Sequence, residues 1–459
     1  MQNFREEFDS IGSRMIPEDA YYGVQSLRGA ENFNITGRML HPEFIRAMAE
    51  LKKASAKTNK EAGVFEANIA DAIMEACDDI LAGKFADQFI TDAIQGGAGT
   101  SMNMNANEVI ANRAIEILGG KKGNYKMVHP NDHVNCGQST NDVIPSAGRI
   151  ATIRLMRTAL ESLKMLKKAF DDKAVEYKSS IKMGRTEMQD AVPVSFGQVF
   201  GAFASALSRD IRRFELAEKE MSVINMGGTA IGTGLNAHPD YIKGVVANVA
   251  EVTGLDLTQA DDLIDGTQNL DSFVYVSGIV KSCAVTLSKI SNDIRLMSSG
   301  PRTGFGEINI PANQNGSSIM PGKINPVMPE VMTQIAYNVI GNDTTITLAA
   351  EAGQLELNAF EPVLFYRLFE SIDTLRNGMD VFRIKCVEGI TVNDDKCRGD
   401  LERCIGLVTA LCPHIGYTES ARVAKKALRE NRNLRDVLLE ENLVPADKLD
   451  EILDPSKMI

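Results

Sequence analysis

Long, uninterrupted helical periodicity in the middle of the sequence most constrains how this chain folds. Apolar residues recur every three or four positions over about six turns at Leu155, Ala159, Leu163, Leu166, Phe170, Ala174 and Tyr177. Two further stripes follow the same spacing, at Phe200, Phe203, Leu207, Ile211 and Phe214, and at Phe273, Val276, Val280, Ala284, Leu287, Ile290, Ile294 and Met297. None of these stretches contains proline, and long helices with sustained apolar stripes pack as a bundle. The pattern predicts a mainly α-helical fold and disfavours a doubly wound α/β sheet.

Charge and cysteine usage narrow the class of protein. The 459 residues include 61 Asp and Glu against 49 Lys and Arg, a net charge of −12, so no basic surface for nucleic acid is expected. Seven cysteines without a C-x-x-C pair predict reduced thiols in the cytoplasm and no zinc site. The N-terminus has no apolar signal segment, and the longest uncharged stretch, Met221–Pro239, is rich in glycine. We therefore expect neither secretion nor a membrane span.

Five segments between the helical stretches are rich in Gly, Ser, Thr and Asn. They are Gln95–Asn107, Gly137–Asp142, Gly184–Asp190, Gly227–Asn236 and Asn313–Pro326. Each one alone is well explained as a turn or a helix cap. Because ordinary helix connections need only a few residues, five such segments in one helical protein favour ligand-binding loops.

The segment Gly316–Pro326 is the most informative about function. Its sequence, GSSIMPGKINP, combines two hydroxyls with two glycines and two prolines, which describes a loop that exposes backbone N–H groups. Such groups stabilise an oxyanion, including a serine alkoxide. Lys323 and Asn325 add a cation and an amide donor suited to a carboxylate. A polar surface loop without function is the alternative.

This segment resembles the signature of the fumarase/aspartase superfamily of lyases, and the resemblance extends over nearly the whole chain. The segments GTSMNMNANEVIANRA, HPNDHVNCGQSTND, MGRTEMQDAVP, GGTAIGTGLN and GNDTTITLAAEAGQLELN are all similar to family segments. Within the superfamily, DAYYGVQSLRGAENF, Thr140 in QSTND and Pro329 in NPVMPEV resemble the aspartase branch. The resemblance implies reversible deamination of L-aspartate to fumarate and ammonia. The alternatives are a class II-type fumarate hydratase and a helical scaffold that has lost catalysis.

The resemblance also implies roles for individual residues. Ser317 corresponds to the base that takes the C3 proton, and Ser318 to a ligand of the carboxylate beside the reacting carbon. The other implied substrate contacts are Thr100, Ser101, Ser139 and Thr140 as hydroxyl donors, Asn141 and Thr186, and Lys323 with Asn325 at the α-carboxylate. A second anion-binding region of fumarases is similar to His129, Asn131 and Asp132, which a helix-entry turn explains equally well.

Glu187 departs from the family pattern, in which fumarases and some aspartases show His at this position and other aspartases show Gln. In fumarases a histidine there works with the glutamate that corresponds to Glu330, so Glu187 counts against hydratase activity. One hypothesis places Glu187 near the substrate ammonium, where its charge favours the cationic form of the amine. The alternative is that Glu187 points to solvent or pairs with Arg185.

The resemblance implies three segments: an N-terminal helical domain at 1–137, a central long-helix bundle at 138–393 and a small C-terminal helical domain at 394–459. It further implies a homotetramer whose central helices form a shared bundle, with each active site assembled from three subunits. No cofactor is required, because the elimination transfers no electrons to a carrier, and no metal ligands are assigned. Magnesium activates some family members, but no carboxylate cluster in this sequence demands it.

Overall fold

The computed structural model describes residues 3–459, which are mainly α-helical, as the apolar periodicity predicts. The helices are α1 (Val24–Asn32), α2 (Pro42–Glu61), α3 (Ala67–Leu81), α4 (Thr100–Ile117), α5 (Thr140–Glu176), α6 (Phe196–Met221), α7 (Pro239–Thr253), α8 (Leu263–Gln268), α9 (Asp271–Met297), α10 (Val327–Glu351), α11 (Glu361–Lys385), α12 (Asp394–Arg403), α13 (Cys412–Ile415), α14 (Tyr417–Glu430), α15 (Leu434–Glu440) and α16 (Ala446–Ile452). A π-helical turn spans Pro130–Val134, and short 3-10 turns span Ala86–Gln88, Val387–Gly389, Gly406–Leu411 and Pro455–Lys457.

The strands form four small two-stranded pairs. Their bounds are β1 (Phe4–Asp9), β2 (Gly12–Pro17), β3 (Ile181–Thr186), β4 (Gln189–Ser195), β5 (Val223–Ile224), β6 (Thr258–Gln259), β7 (Ile308–Asn309) and β8 (Thr391–Val392). The β1–β2, β3–β4 and β7–β8 pairs are antiparallel, and β5–β6 is parallel. In the β3–β4 hairpin Ile181 pairs with Ser195 and Thr186 with Gln189, so only two residues form the turn.

The three predicted stripes lie on the three long helices α5, α6 and α9, and their apolar side chains are mostly buried. On α9 every member of the predicted stripe, from Phe273 to Met297, is buried. Among the described residues α9 is also the one helix long and apolar enough to cross a membrane, judged by length and composition alone. Half of its apolar window is buried inside the protein, as in a core helix. The stripe is therefore a packing face.

The described residues form two compact units that are discontinuous in sequence. The first contains the described residues up to Leu160 together with Arg212–Ser282 and Asn338–Leu375, and the second contains Glu161–Ile211, Cys283–Tyr337 and Arg376–Ile459. The long helices each contribute to both units. The division into segments 1–137, 138–393 and 394–459 stays a prediction.

In the first unit α9, α10 and α11 contact one another through polar and aromatic side chains. Phe273 of α9 packs edge-on against Phe365 of α11, with ring centroids 5.2 Å apart. Asp343 of α10 accepts hydrogen bonds from Ser277 Oγ at 2.7 Å and Lys281 Nζ at 2.5 Å, both on α9. A buried carboxylate that two donors satisfy fixes the register of these helices.

In the second unit α5 packs against α6 through aromatic residues, and α10 packs against α11 at a small residue. Phe170 of α5 packs against Phe203 of α6 at a ring-centroid distance of 5.6 Å. On α11, Gly378 lets Ile335 of α10 approach, since a Cβ at Gly378 would meet the Ile335 side chain at 2.6 Å. A separate apolar core joins Met183 of β3 to the C-terminal helices α12–α16. The β3–β4 hairpin is thereby held against the C-terminal segment.

Candidate active site

The segment Gln95–Asn107 turns sharply and enters α4 at Thr100. Gly97 adopts the left-handed backbone conformation, with φ of 85°, and its carbonyl accepts a hydrogen bond from Thr100 Oγ1 at 2.7 Å. Ser101 lies against α1 at Gly29, where an added Cβ would come within 2.8 Å of Ser101 Oγ. The two predicted hydroxyls thus occupy the first turn of α4, with Thr100 exposed and Ser101 half-buried.

A cavity of about 510 Å³ in the first unit reaches these two hydroxyls. Its walls include polar and charged side chains from α1, α4 and the turn after Val128, namely Gln25, Arg28, Asn32, Thr100, Ser101, Glu108, Tyr125, His129 and Asn131. Arg28 is engaged with Asp9, whose Oδ2 accepts a hydrogen bond from Arg28 Nε at 2.7 Å. That hydrogen bond lowers the pKa of Asp9. The cavity is polar enough to hold a small hydrophilic ligand.

His129, Asn131 and Asp132 form a helix-entry turn, as one of the two sequence interpretations predicts. His129 Nδ1 accepts hydrogen bonds from the backbone N–H groups of Asn131 at 3.2 Å and Asp132 at 3.1 Å. His129 therefore caps the π-helical turn Pro130–Val134. His129 and Asn131 also line the cavity, which is compatible with an anion-binding role. That role stays a prediction.

Ser139, Thr140 and Asn141 gather at the N-terminus of α5. Ser139 Oγ accepts a hydrogen bond from the backbone N–H of Asn141 at 3.2 Å. Thr140 Oγ1 accepts one from Asn103 Nδ2 at 3.3 Å, and Asn141 Nδ2 donates to the carbonyl of Ala230 at 2.7 Å. The N-terminus of a 37-residue helix carries partial positive charge and favours an anion nearby. These hydroxyls and the helix end are suited to a carboxylate.

The buried Asp142 carboxylate holds the turn that carries Ser139 against the Gly227–Asn236 segment. Its Oδ1 accepts a hydrogen bond from the Ser139 N–H at 2.9 Å, and its Oδ2 accepts from the N–H groups of Gly227 at 3.3 Å and Thr229 at 3.0 Å. Burial raises the pKa of Asp142 to about 6, although these hydrogen bonds and the charge of Lys52 act in the opposite direction. Two polar segments are thus fixed by one side chain.

Lys52 of α2 supports the same turn through hydrogen bonds to two amide side chains. Its side chain is fully buried, and Nζ donates hydrogen bonds to Asn135 Oδ1 at 2.7 Å and Gln138 Oε1 at 2.9 Å. Burial lowers the pKa of Lys52 to about 7, against the opposing charge of Asp142. A buried ammonium that holds two amide oxygens orders the residues just before Ser139.

Thr186 and Glu187 lie at the tip of the β3–β4 hairpin, in the second unit. Glu187 and Met188 form the two-residue turn with φ of 52° and 66°. Positive φ at both central residues defines a type I′ turn, which Asn-Gly or Asp-Gly usually fills. Side chains other than glycine are strained there, and such strain is concentrated at functional sites. Thr186, Glu187 and Met188 are all exposed.

Arg185 has partners other than Glu187. Its guanidinium pairs with the buried carboxylate of Glu307 and lies 4.4 Å from the ring centroid of Phe305. Its Nε is 3.8 Å from Oδ1 of Asp190 on β4. No ion pair joins Arg185 to Glu187 within residues 3–459, so that alternative for Glu187 is absent from the structure. Glu187 is exposed at the hairpin tip.

The Ser317 hydroxyl is held by backbone N–H groups of its own loop. Ser317 Oγ accepts hydrogen bonds from the N–H groups of Ile319 at 3.2 Å and Met320 at 3.0 Å. Two N–H donors aimed at one oxygen stabilise negative charge on it. The structure therefore bears out the physical expectation that this loop presents N–H groups to a serine oxygen.

Two hydrogen bonds close the loop around that serine. The Gly316 N–H donates to the Lys323 carbonyl at 2.9 Å, and Asn325 Nδ2 donates to the Gly316 carbonyl at 2.6 Å. A Cβ at Gly316 would meet the Lys323 carbonyl oxygen at 2.4 Å, so only glycine permits this closure. One donor of Asn325 is thus used within the loop. Ser318 and Lys323 are exposed.

The predicted residues fall into two groups. The first unit brings together Ser139, Thr140 and Asn141 and places Thr100 and Ser101 on its polar cavity; the second unit carries Thr186, Glu187, Ser317, Ser318, Lys323 and Asn325. Glu330, the counterpart of the fumarase glutamate, lies in the first turn of α10 with Oε1 3.7 Å from Arg295 Nη2. The catalytic and binding roles of these residues stay predictions.

Sequence reasoning did not find the buried charges Lys52, Asp142 and Glu307. Lys52 gives a signal in retrospect, because it falls on the buried face of α2 with Met48 and Ser55. A charged residue on an apolar stripe is rarely buried without a partner. Glu307 gives no such signal, because it lies between strands and its partners are over a hundred residues away.

Two family models and several known proteins are similar to this chain. The family described as Lyase matches residues 12–341, and the family described as Fumarase C C-terminus matches residues 407–459. An aspartate ammonia-lyase from Bacillus subtilis (strain 168) is 50% identical over 457 residues, covering 100% of this chain and 96% of that protein. The crystal structure of fumarate lyase:delta crystallin from Brucella melitensis bound to cobalt has a TM-score of 0.97 at 46% identity, with 99% of each chain covered. The recombinant class II fumarase from Schistosoma mansoni has a TM-score of 0.95 at 34% identity, also with 99% of each chain covered.

Proposed function

The chain belongs to the lyase family, and on this premise we propose that it catalyses the reversible deamination of L-aspartate to fumarate and ammonia. The observation that carries the choice of substrate is the identity of 50% over the whole chain to an aspartate ammonia-lyase, against 34% to a class II fumarase. Glu187 stands where fumarases and some aspartases have His, and its presence alters the proton relay expected of a hydratase. The fold is shared by both enzymes, so the fold does not discriminate between them.

Ser317 is the proposed general base. In the forward reaction its oxygen takes the proton from C3 of aspartate, the electron pair moves into the C3 to C2 bond, and ammonia leaves from C2. A neutral serine hydroxyl is a poor base, so the alkoxide form must be stabilised. The N–H groups of Ile319 and Met320 supply two hydrogen bonds, and bonds to a charged group contribute about 1.5–3 kcal/mol each.

Hydroxyls and amides are the proposed carboxylate-binding groups. Abstraction of the C3 proton places negative charge on the adjacent carboxylate, and preorganised donors that bind this charge lower the barrier. The proposed donors to that carboxylate are Thr100, Ser101, Ser139, Thr140 and Ser318, with Asn141 and Thr186 as further contacts. Lys323 and the remaining donor of Asn325 are proposed to bind the α-carboxylate, where a cation and an amide are complementary to its charge.

A homotetramer with shared active sites is the proposed assembly. The long helices expose large apolar side chains, among them Tyr275 and Val285 on α9 and Tyr337 and Leu348 on α10, each 47–64% exposed. Such a surface on a bundle helix favours burial against another copy of the chain. Each active site is proposed to be assembled from three subunits, as the resemblance implies.

The cellular setting and metal dependence are also proposals. Five of the seven cysteines are buried and the sequence has no C-x-x-C pair, which supports a reducing compartment such as the cytoplasm. Burial raises the pKa of Cys77, Cys386, Cys397 and Cys404, so these thiols are unreactive. We propose that catalysis requires no cofactor and that magnesium acts at most as an activator.

The decisive experiment follows the ultraviolet absorbance of fumarate. Purified protein receives L-aspartate or L-malate in separate reactions, each with and without magnesium. We expect fumarate from L-aspartate only, with no requirement for magnesium. Fumarate from L-malate alone would support the hydratase, and fumarate from neither would support a scaffold that has lost catalysis.

A further inference from the structure

Glu307 is a buried carboxylate between the β3–β4 hairpin and the segment that leads to Gly316–Pro326, the loop that carries Ser317 and is called the serine loop below. Its side chain is 2% exposed. One carboxylate oxygen pairs with the Arg185 guanidinium, and the other lies 3.0 Å from Lys182 Nζ. Both cations belong to β3, the strand that ends at Thr186. One carboxylate thus contacts two cations on the strand that presents the hairpin tip.

The backbone of Glu307 is fixed independently of the hairpin. Its N–H donates to the carbonyl of Met297 at the end of α9 at 2.8 Å, and its carbonyl accepts from the N–H of Asn393 at 2.9 Å. The chain then enters β7, which pairs with β8, and continues into the serine loop. Glu307 is therefore anchored in the same stretch of chain that carries Ser317.

A second contact reinforces the same attachment. The Arg185 guanidinium stacks over the ring of Phe305, which is two residues before Glu307. Lys182 Nζ also donates to the Met183 carbonyl at 3.0 Å, so it stays on its own strand. The side chains of Lys182 and Arg185 are 8% and 16% exposed, and removal of the carboxylate would leave two largely buried cations without their main partner.

We propose that Glu307 is a positioning residue for the lyase reaction. Its carboxylate holds β3, so that Thr186 and Glu187 at the hairpin tip keep a fixed position in the second unit. Glu307 touches no substrate in this proposal and acts through the hairpin. The inference rests on the proposed function, because it assigns Glu307 a part in binding the same substrate.

The substitution Glu307→Gln tests the proposal, because it keeps the side-chain shape and removes the charge. We expect the KM for L-aspartate to rise at least tenfold, with a smaller fall in kcat, because the hairpin carries substrate contacts. We also expect faster hydrogen exchange in the peptide covering 181–195. In a Thr186→Ala background the effect of Glu307→Gln on kcat/KM should shrink severalfold, since both changes act through one contact.

Glu50→Gln is the matched control. Glu50 is a buried carboxylate of α2 that pairs with Arg154 at 2.7 Å and Arg46 at 3.4 Å, and it contacts none of the predicted site residues. This variant should lower the melting temperature yet leave KM and hairpin exchange unchanged. If Glu307→Gln does not fold, Glu307→Asp keeps the charge with a shorter reach and should show the same pattern more weakly.

Three results would overturn the proposal: hairpin exchange equal to that of the wild type, an unchanged KM, or full additivity with Thr186→Ala. If the wild-type enzyme forms no fumarate from L-aspartate, the proposed function fails instead. The hydrogen-exchange measurement does not depend on activity. Even in that case, unchanged exchange in Glu307→Gln would refute the proposal that Glu307 holds the hairpin, and faster exchange would support it.

Discussion

The carboxylate of Asp142 accepts a hydrogen bond from the backbone N–H of Thr229 at 3.0 Å, which joins the start of α5 to the Gly227–Asn236 segment. The same side chain accepts from the N–H of Ser139 at 2.9 Å. A single buried carboxylate therefore fixes the turn that carries Ser139 and Thr140, two of the hydroxyls proposed to bind the substrate carboxylate. Its three hydrogen bonds all come from backbone N–H groups, so it has to remain an acceptor on both oxygens.

Asp142→Asn should therefore damage both stability and activity. The amide nitrogen of Asn would face N–H donors where Asp142 accepts, leaving buried donors unsatisfied at a cost of about 1–3 kcal/mol each. We expect a lower melting temperature and a fall in kcat/KM for L-aspartate of roughly tenfold or more. Asp343→Asn, in the α9–α10 contact, is the comparison: it should lower the melting temperature with a much smaller change in kcat/KM. Equal kinetic losses in both variants would argue against a special role for Asp142.

Ser317→Ala should abolish turnover, because the proposed base is removed. General bases typically contribute about 10²–10⁴-fold, so we expect kcat to fall by at least roughly 10³-fold with the fold intact. Ser318→Ala should act mainly on KM, because its hydroxyl is proposed to bind a carboxylate. Steady-state kinetics on both variants distinguish the two serines. A larger loss of kcat in Ser318→Ala would reverse their assigned order.

Glu187→Gln tests whether the hairpin tip interacts with the substrate ammonium. Removing the negative charge should lower kcat/KM for L-aspartate by about fivefold, since an exposed charge pair contributes on the order of 1 kcal/mol. The binding of fumarate, which lacks an ammonium, should change little. Unchanged kcat/KM for L-aspartate would refute the hypothesis and leave Glu187 as a solvent-facing turn residue.

The long helices could be predicted from the sequence because their apolar stripes repeat over many turns and are fixed by burial. The β3–β4 hairpin could not be predicted, because its turn, Glu187–Met188, lacks the Asn-Gly or Asp-Gly signal. The sequence interpretation treated Gly184–Asp190 as a loop between helices, and the structure corrects this: Gly184–Thr186 end one strand and Gln189–Asp190 begin the next.

A functional loop whose residues are adjacent in sequence was easier to predict than the distant ion pairs that hold such segments in place. The Gly316–Pro326 loop could be recognised because its glycines and hydroxyls are adjacent in sequence and dictate a loop that exposes N–H groups. Glu307 and Arg185 could not be paired, because they are 122 residues apart and any of several acidic residues would satisfy an arginine. Buried ion pairs between distant segments become visible only when the packing is known.

Buried Glu108 predicts a specific dependence of stability on pH. Glu108 accepts hydrogen bonds from Gly23, Gln25 and Ser26 at the start of α1, and burial raises its pKa to about 7 despite these bonds. Because the folded pKa exceeds the unfolded value of 4.5, its contribution to stability is fully present below pH 4.5 and is lost as the pH rises through 7. A shift of this size corresponds to about 3 kcal/mol.

Glu108→Gln does not titrate, so comparison with the wild type isolates this effect. We expect the variant to be less stable than the wild type by a margin that is about 3 kcal/mol larger at pH 4.5 than at pH 8. Thermal unfolding of both proteins at matched concentrations across this range measures the margin. A margin that stays constant with pH would contradict the raised pKa of Glu108.

Tyr337→Glu should disrupt the proposed tetramer and its activity together. Tyr337 is 64% exposed on α10, and a charge placed there would be buried without a partner if that face packs against another subunit. Tyr417→Glu is the matched control, because Tyr417 is 80% exposed on the C-terminal helix α14. Light scattering should give a smaller mass for Tyr337→Glu only, with fumarate formation reduced by roughly 100-fold or more because each proposed site needs several subunits. A variant that keeps the wild-type mass and activity would show that this face of α10 lies outside the interface.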